Sequence, residues 1–154
     1  CIELFGYRPK SITNEGVLIG QRHLGAQRVW QITQRTGGDL RFSYSTDGGS
    51  AGEVNHDFTA ADLAVDTDYD ITIERTGTAL RLFINGVFTT NITMAAATLF
   101  HSTTTPIGVL AAFTSSASPS NGNNAYLKAF RVTKASRYGT DADYTVPTLP
   151  LPRT

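Results

Sequence analysis

Apolar and polar residues alternate one for one along most of this chain, and that period of two limits what it can fold into. In an extended strand, successive side chains point to opposite faces, whereas a helix repeats every 3.6 residues. Residues 39–46 place Leu40, Phe42 and Tyr44 on one face and Arg41, Ser43 and Ser45 on the other. Residues 69–75 do the same, with Tyr69, Ile71 and Ile73 against Asp70, Thr72 and Glu74. Two further runs, 80–84 and 87–93, flank Asn85-Gly86. Both of those residues accept the positive φ of a type I′ turn, so this is a strong hairpin signal. Other strands are expected at 2–8, 16–21, 28–35, 53–58, 106–113 and 125–133. Turn-forming stretches separate them at Arg8-Pro9, Gly37-Gly38, Asp47-Gly48-Gly49, Gly77 and 115–124. About ten short strands so spaced predict an all-β fold, an antiparallel two-sheet jelly-roll sandwich. A single helical turn is expected at 59–64, capped by Thr59, and a short turn or loop at 94–99.

Composition fits that pattern and removes several functions. The chain has 154 residues, one domain's length, of which 17% are charged against roughly 25% in an average domain. Its solvent faces must therefore be built from Thr, Ser, Asn and Gln. Lys+Arg and Asp+Glu number 13 each, which excludes the basic footprint of a nucleic-acid binder or a polybasic membrane-surface protein. No apolar run approaches the ~20 residues of a spanning helix. The lone cysteine, Cys1, leaves no internal disulfide and no cysteine zinc site. The chain opens on Cys inside a strand-like run and closes with prolines at 147, 150 and 152. These features predict one module of a longer product, with a sandwich over 1–136 and an extended strap or linker over 137–154.

The residues 70–87, with Arg75, Gly77, Leu80, Leu82, Phe83, Ile84, Asn85 and Gly86, resemble the central hairpin of concanavalin A-like, laminin-G-like jelly-roll domains. In that family a strand ending Arg-x-Gly precedes a Leu-x-Leu-[Phe/Tyr]-[Val/Ile]-[Asn/Asp]-Gly strand and turn. The opening Ile2-Glu-Leu-Phe-Gly-Tyr-Arg-Pro9 is similar to the family's early strand, and residues 125–138 to its closing one. The closing segment with Tyr144-Thr-Val-Pro-Thr-Leu-Pro looks like the versions carried by tailed-phage virion proteins, where the tail wraps the sandwich. The resemblance implies glycan or surface recognition, or decoration of a virion. It departs at Gly6, where the family has Trp, and at Lys128-Ala129, where the family has an acidic pair. The family's opening strand is also missing upstream.

Relatives of this fold include glycoside hydrolases, which need two carboxylates about 5–5.5 Å apart for retaining chemistry. The nearest set, Asp68, Asp70 and Glu74, shares a strand face but has the wrong types and spacing, so no enzyme is expected. Asp66 and Asp68 imitate the start of a calcium loop, yet Ile71 stands where such a loop needs Gly and Gly77 where it needs Glu. No cofactor is therefore expected, a calcium ion near Asp66 and Asp68 being the nearest case. His23, His56 and His101 lack companions at metal-ligand spacing. Trp30 runs in phase with Ile32 and reads as core, while Tyr138 and Tyr144 read as pins for the tail.

The outward set Gln31, Thr33, Arg35, Arg41, Ser43, Thr72 and Arg81 offers amides, hydroxyls and guanidiniums suited to sugar hydroxyls. Asn55 and His56, and the loop 121–124, are alternative positions. The expected partners are a glycan or other host-surface ligand, or other virion subunits, with room for a homo-oligomer. Neither nucleic acid nor membrane insertion is expected. The expected location is a virion or extracellular surface. The expected role is adhesion, the alternative being a structural decoration or assembly module.

Overall fold

A computed structural model describes residues 1–23, 27–95, 98–115, 118–120 and 122–149. Its strands are β1 (Ile2–Pro9), β2 (Gly16–Arg22), β3 (Arg28–Gln34), β4 (Leu40–Ser45), β5 (Glu53–Phe58), β6 (Tyr69–Thr76) and β7 (Ala79–Ile84). They continue as β8 (Val87–Thr93), β9 (Gly108–Val109), β10 (Ala112–Ser115), β11 (Ser118–Ser120), β12 (Ala125–Tyr126) and β13 (Ala129–Val132). Among the described residues there is no helix. A six-stranded sheet runs β12-β1-β6-β7-β8, with β13 also paired to β1, and a five-stranded sheet runs β5-β4-β3-β2-β9. All of these pairings are antiparallel. The protein is an all-β sandwich of two antiparallel sheets.

The alternation explains how the sheets close on each other. Ile2, Leu4, Tyr7, Ile71, Ile73, Leu80 and Leu82 point inward from the six-stranded sheet. Leu18, Ile19, Ile32, Leu40, Phe42, Tyr44 and Phe58 meet them from the five-stranded one. Trp30 packs partly buried against the same core, in phase with Ile32. Asn85 and Gly86 both carry positive φ, at 54° and 78°, and turn the β7–β8 hairpin.

Four local readings differ from the structure. Residues 59–64 form no helical turn, and Asp62 stands at φ 45°, outside right-handed helix geometry. The run 106–113 is broken by Leu110 at φ 55°, which divides it between β9 and β10. The stretch 115–124, read as a turn, contains the short strand β11, paired with β10. The closing strand is split too, into β12 and β13. Its break answers a bulge in β1 between Leu4 and Tyr7, where Gly6 has φ 59° and a Cβ would lie 2.4 Å from Lys128 Cδ. Within 94–99, residues 96–97 lie outside the described residues, as do Asn121, Pro150 and Pro152.

The described residues after β13, 133–149, form no strand, and 136–144 bond to the outer face of the six-stranded sheet. Tyr138 and Tyr144 stack on each other at 3.7 Å between ring centroids, and both rings contact Phe83. The Tyr144 hydroxyl bonds Thr72 Oγ1 at 2.6 Å, and its amide donates to Gly86 O. Glu74, 0% exposed, accepts from the Arg137, Tyr138 and Gly139 amides and from the Ser136 hydroxyl. Glu3, also 0% exposed, accepts a bidentate pair from Arg131 and the hydroxyl of Tyr138. Burial, then the bond to Glu3, pushes the Tyr138 phenol well above its usual pKa, and burial pushes Tyr144 the same way. Raised phenol values stabilise below the ordinary ~10 and lose that effect as pH rises through the folded values. The strap is accordingly expected to loosen only in strong alkali, read as tyrosinate absorbance appearing together with loss of amide protection at Tyr144.

Candidate functional site

The outer face of the five-stranded sheet is a polar groove. Its lining includes Gln31 and Thr33 from β3, Arg41 and Ser43 from β4, Glu53 and Asn55 from β5, and Arg22 from β2. The cavity measures about 430 Å³, within the range that ligand pockets occupy. Gln31, Thr33 and Ser43 are only 8%, 6% and 3% exposed although they point away from the core, so they form a floor recessed below the rim. Gly20, paired with Gln31 across β2 and β3, makes room for that floor. A Cβ at Gly20 would stand 2.6 Å from Gln31 Cβ and 2.9 Å from Trp30 O. Gly20→Ala is therefore expected to destabilise by about 1–3 kcal/mol and to displace Gln31, read by urea denaturation.

Ion pairs hold the walls. Arg41 grips Asp57 with two bonds of 2.6 and 2.8 Å, which hold the Asp57 carboxyl below its ordinary value. Arg35 pairs with Glu15 at 2.7 Å, and Ser43 donates to Asn55 at 2.6 Å. At one end Glu53 receives both Arg22 and Arg28. Against this order, Gln31 Oε1, Thr33 Oγ1 and Arg22 Nε are buried with no hydrogen-bond partner among the described residues. Leaving such a group unpaired costs about 1–3 kcal/mol, so an unpaired group calls for a reason.

Of the residues singled out in the sequence, Gln31, Arg41, Ser43 and Asn55 share this groove with Thr33. Arg35 stands beside it through Glu15, itself part of the lining. Three others, His56, Arg81 and Thr72, stand elsewhere. His56 neighbours Asn55, and alternation sends it to the opposite face, opposite Phe42 and stacked on Tyr44 at 5.9 Å. Burial there pulls its pKa below the ordinary histidine value. Arg81 lies on the other sheet beneath the strap, bonded to Asp141 at 2.6 Å, and Thr72 lies there with it. The groove also uses Arg22, Glu53 and Glu15, which were not singled out. Glu53 was readable, being in phase with Asn55. Arg22 was not, because register shifts in β2 break its alternation.

The acidic residues are engaged by their neighbours. Asp66 pairs with Lys10, while Asp68 takes Arg8 and Lys128 and is held down at about 2, chiefly by the Arg8 hydrogen bond. Asp70 accepts the Gly6 amide at 2.8 Å, and Glu74 anchors the strap. No group of three or more His, Cys, Asp or Glu that could hold a metal occurs among the described residues.

No protein-family model and no curated protein matches this chain. Among solved structures, one of botulinum neurotoxin type C superposes with a TM-score of 0.46 at 13% identity. That toxin is described as depending, for entering cells, on interaction with two ganglioside molecules. The match covers 64% of this chain and 24% of the other, so this chain spans about a quarter of the toxin chain's length. So partial a likeness says nothing about what this groove binds.

Proposed function

We propose that the protein is a non-catalytic surface-recognition module whose groove on the five-stranded sheet binds carbohydrate. One observation carries the reading: Gln31 Oε1 and Thr33 Oγ1, an acceptor and a hydroxyl, have no partner among the described residues and are recessed in a polar cavity. Sugar hydroxyls both donate and accept, and they satisfy such atoms in a way an apolar ligand does not. The resemblance to laminin-G-like, concanavalin A-like jelly rolls of phage virions supports placing the module on a virion or other extracellular surface, where it adheres to a host glycan. A non-catalytic role is supported by the carboxylates nearest to a hydrolase pattern, Asp68, Asp70 and Glu74, each of which is bonded to neighbouring groups of the protein.

Glycan-array screening tests this reading. Saturable binding to a saccharide is expected, weakened several-fold to about tenfold by Gln31→Ala, which removes one hydrogen bond. Silence across the array, or binding indifferent to Gln31, would sink it. Because Asp66 and Asp68 are already paired with cationic side chains, binding is expected to withstand a calcium chelator.

A second reading, assembly with other virion subunits, is favoured by the edge strand β13, whose Phe130 and Val132 are 44% and 43% exposed. Lysine at both positions would abolish subunit association in light scattering under that reading and leave glycan binding untouched.

A further inference from the structure

We infer that the groove selects an electrically neutral saccharide, seated on the uncharged row Gln31, Ser43 and Asn55, and turns away counterparts that carry a carboxylate or an ammonium. This rests on the carbohydrate reading above and fixes the charge of the ligand.

Register lays that row across the sheet. Gly20 stands opposite Gln31, Gln31 opposite Ser43, and Ser43 opposite Asn55, so the neighbouring strands β2 to β5 meet at one level. Beyond the glycine, each member is an amide or a hydroxyl that lines the cavity. Two residues along on one side, Thr33, Arg41 and Asp57 face one another in the next row. Two residues along on the other, Glu53 stands on β5 opposite Ser45, and Arg22 reaches it from β2.

The charged residues that line the cavity are Glu15, Arg22, Arg41 and Glu53, two of each sign. Each already has its counter-ion. Both terminal nitrogens of Arg22 sit 3.1 Å from the two oxygens of Glu53, and Arg28 pairs with that carboxylate as well. Arg41 is held at two points by Asp57, and Glu15 by Arg35. A carboxylate entering the groove would leave water, meet no uncommitted cation and stand beside Glu53 or Asp57. An ammonium would meet Arg22 or Arg41 in the same way. Burying a charge without a partner of its own costs far more than seating a hydroxyl, and nearby like charges oppose it further. A hydroxyl both donates and accepts, which suits the amides and hydroxyls of the row. The ion-paired walls thus supply the repulsive part of the specificity.

The test is an array of neutral hexose oligosaccharides. Each is printed beside the counterpart with one C6 hydroxymethyl oxidised to a carboxylate, the methyl ester of that acid, and the counterpart bearing a free amine. Neutral members and esters are expected to bind about tenfold or more tightly than acids and amines. Their binding should be indifferent to added salt, since no ion pair is made or broken. In Asp57→Asn, a change at an exposed position that frees Arg41, the acids should gain several-fold while neutral binding stays as it was. The comparison on the unsubstituted protein decides the matter even where that variant does not fold. Acids bound as well as neutral members, or esters as weak as the acids, would overturn the inference and leave the carbohydrate reading intact. No saccharide bound at all would overturn both.

Discussion

Glu74→Ala is expected to lower the stability of the domain by about 3–5 kcal/mol and to release the strap from the outer face of the six-stranded sheet. The carboxylate accepts three backbone amides and one hydroxyl from Ser136 to Gly139 and is 0% exposed. Each donor left buried without an acceptor costs about 1–3 kcal/mol, and the penalty is capped because the strap can escape it by undocking into water. For a chain of this size the melting temperature should fall by about 2–4 °C per kcal/mol. Hydrogen exchange should quicken first at the amides of Arg137, Tyr138 and Gly139, and unchanged protection there would count against the anchoring role.

The same anchor has a pH signature. Burial raises the Glu74 carboxyl, but the amides of Tyr138, Arg137 and Gly139 with the Ser136 hydroxyl outweigh it and hold the group below its ordinary value. Its stabilisation is therefore complete above the unfolded value near ~4.3 and is lost as pH falls through the lower folded value. Glu74→Gln should flatten that acid limb.

Arg131→Ala should be as damaging, at about 3–5 kcal/mol, because it strips the bidentate partner from a buried carboxylate. Glu3 and Arg131 face each other across β1 and β13, at 2.6 and 2.7 Å. Without Arg131, Glu3 keeps the Tyr138 hydroxyl and an Arg137 guanidinium 3.5 Å away. Adding Glu3→Gln to Arg131→Ala should recover part of the loss in urea denaturation, since the unpaired charge is then gone. Tyr138 bonds Glu3 through its hydroxyl and Glu74 through its amide, so the Arg131 and Glu74 effects should not add.

The sandwich was legible in the sequence because alternation reports directly which side chains can share a core. Leu40, Phe42 and Tyr44 are inward as their period requires, and Asn85-Gly86 turns as its φ tolerance allows. Most of the groove followed from the same rule, since Gln31, Thr33, Arg41 and Ser43 are the outward members of two paired strands. The rule failed where a strand is irregular. Shifts in β2 hid Arg22, and the Gly6 bulge with the break opposite it divided the closing strand. It failed again where a distant segment covers a face. Glu3, Glu74 and Arg81 look solvent-facing within their own strands, and distant segments enclose them, the strap over Glu74 and Arg81 and Arg131 of β13 together with Tyr138 of the strap over Glu3.

That covering sets the valency of the molecule. With the strap lying on the outer face of the six-stranded sheet, the groove on the five-stranded sheet is the one site that the proposed function assigns to each chain. Under the proposed function, a polar groove whose lining includes no aromatic residue would grip one saccharide modestly. Firm attachment to a surface dense in that saccharide then depends on how many copies are presented together, because linked sites can exceed one site's affinity by about 10²–10⁴.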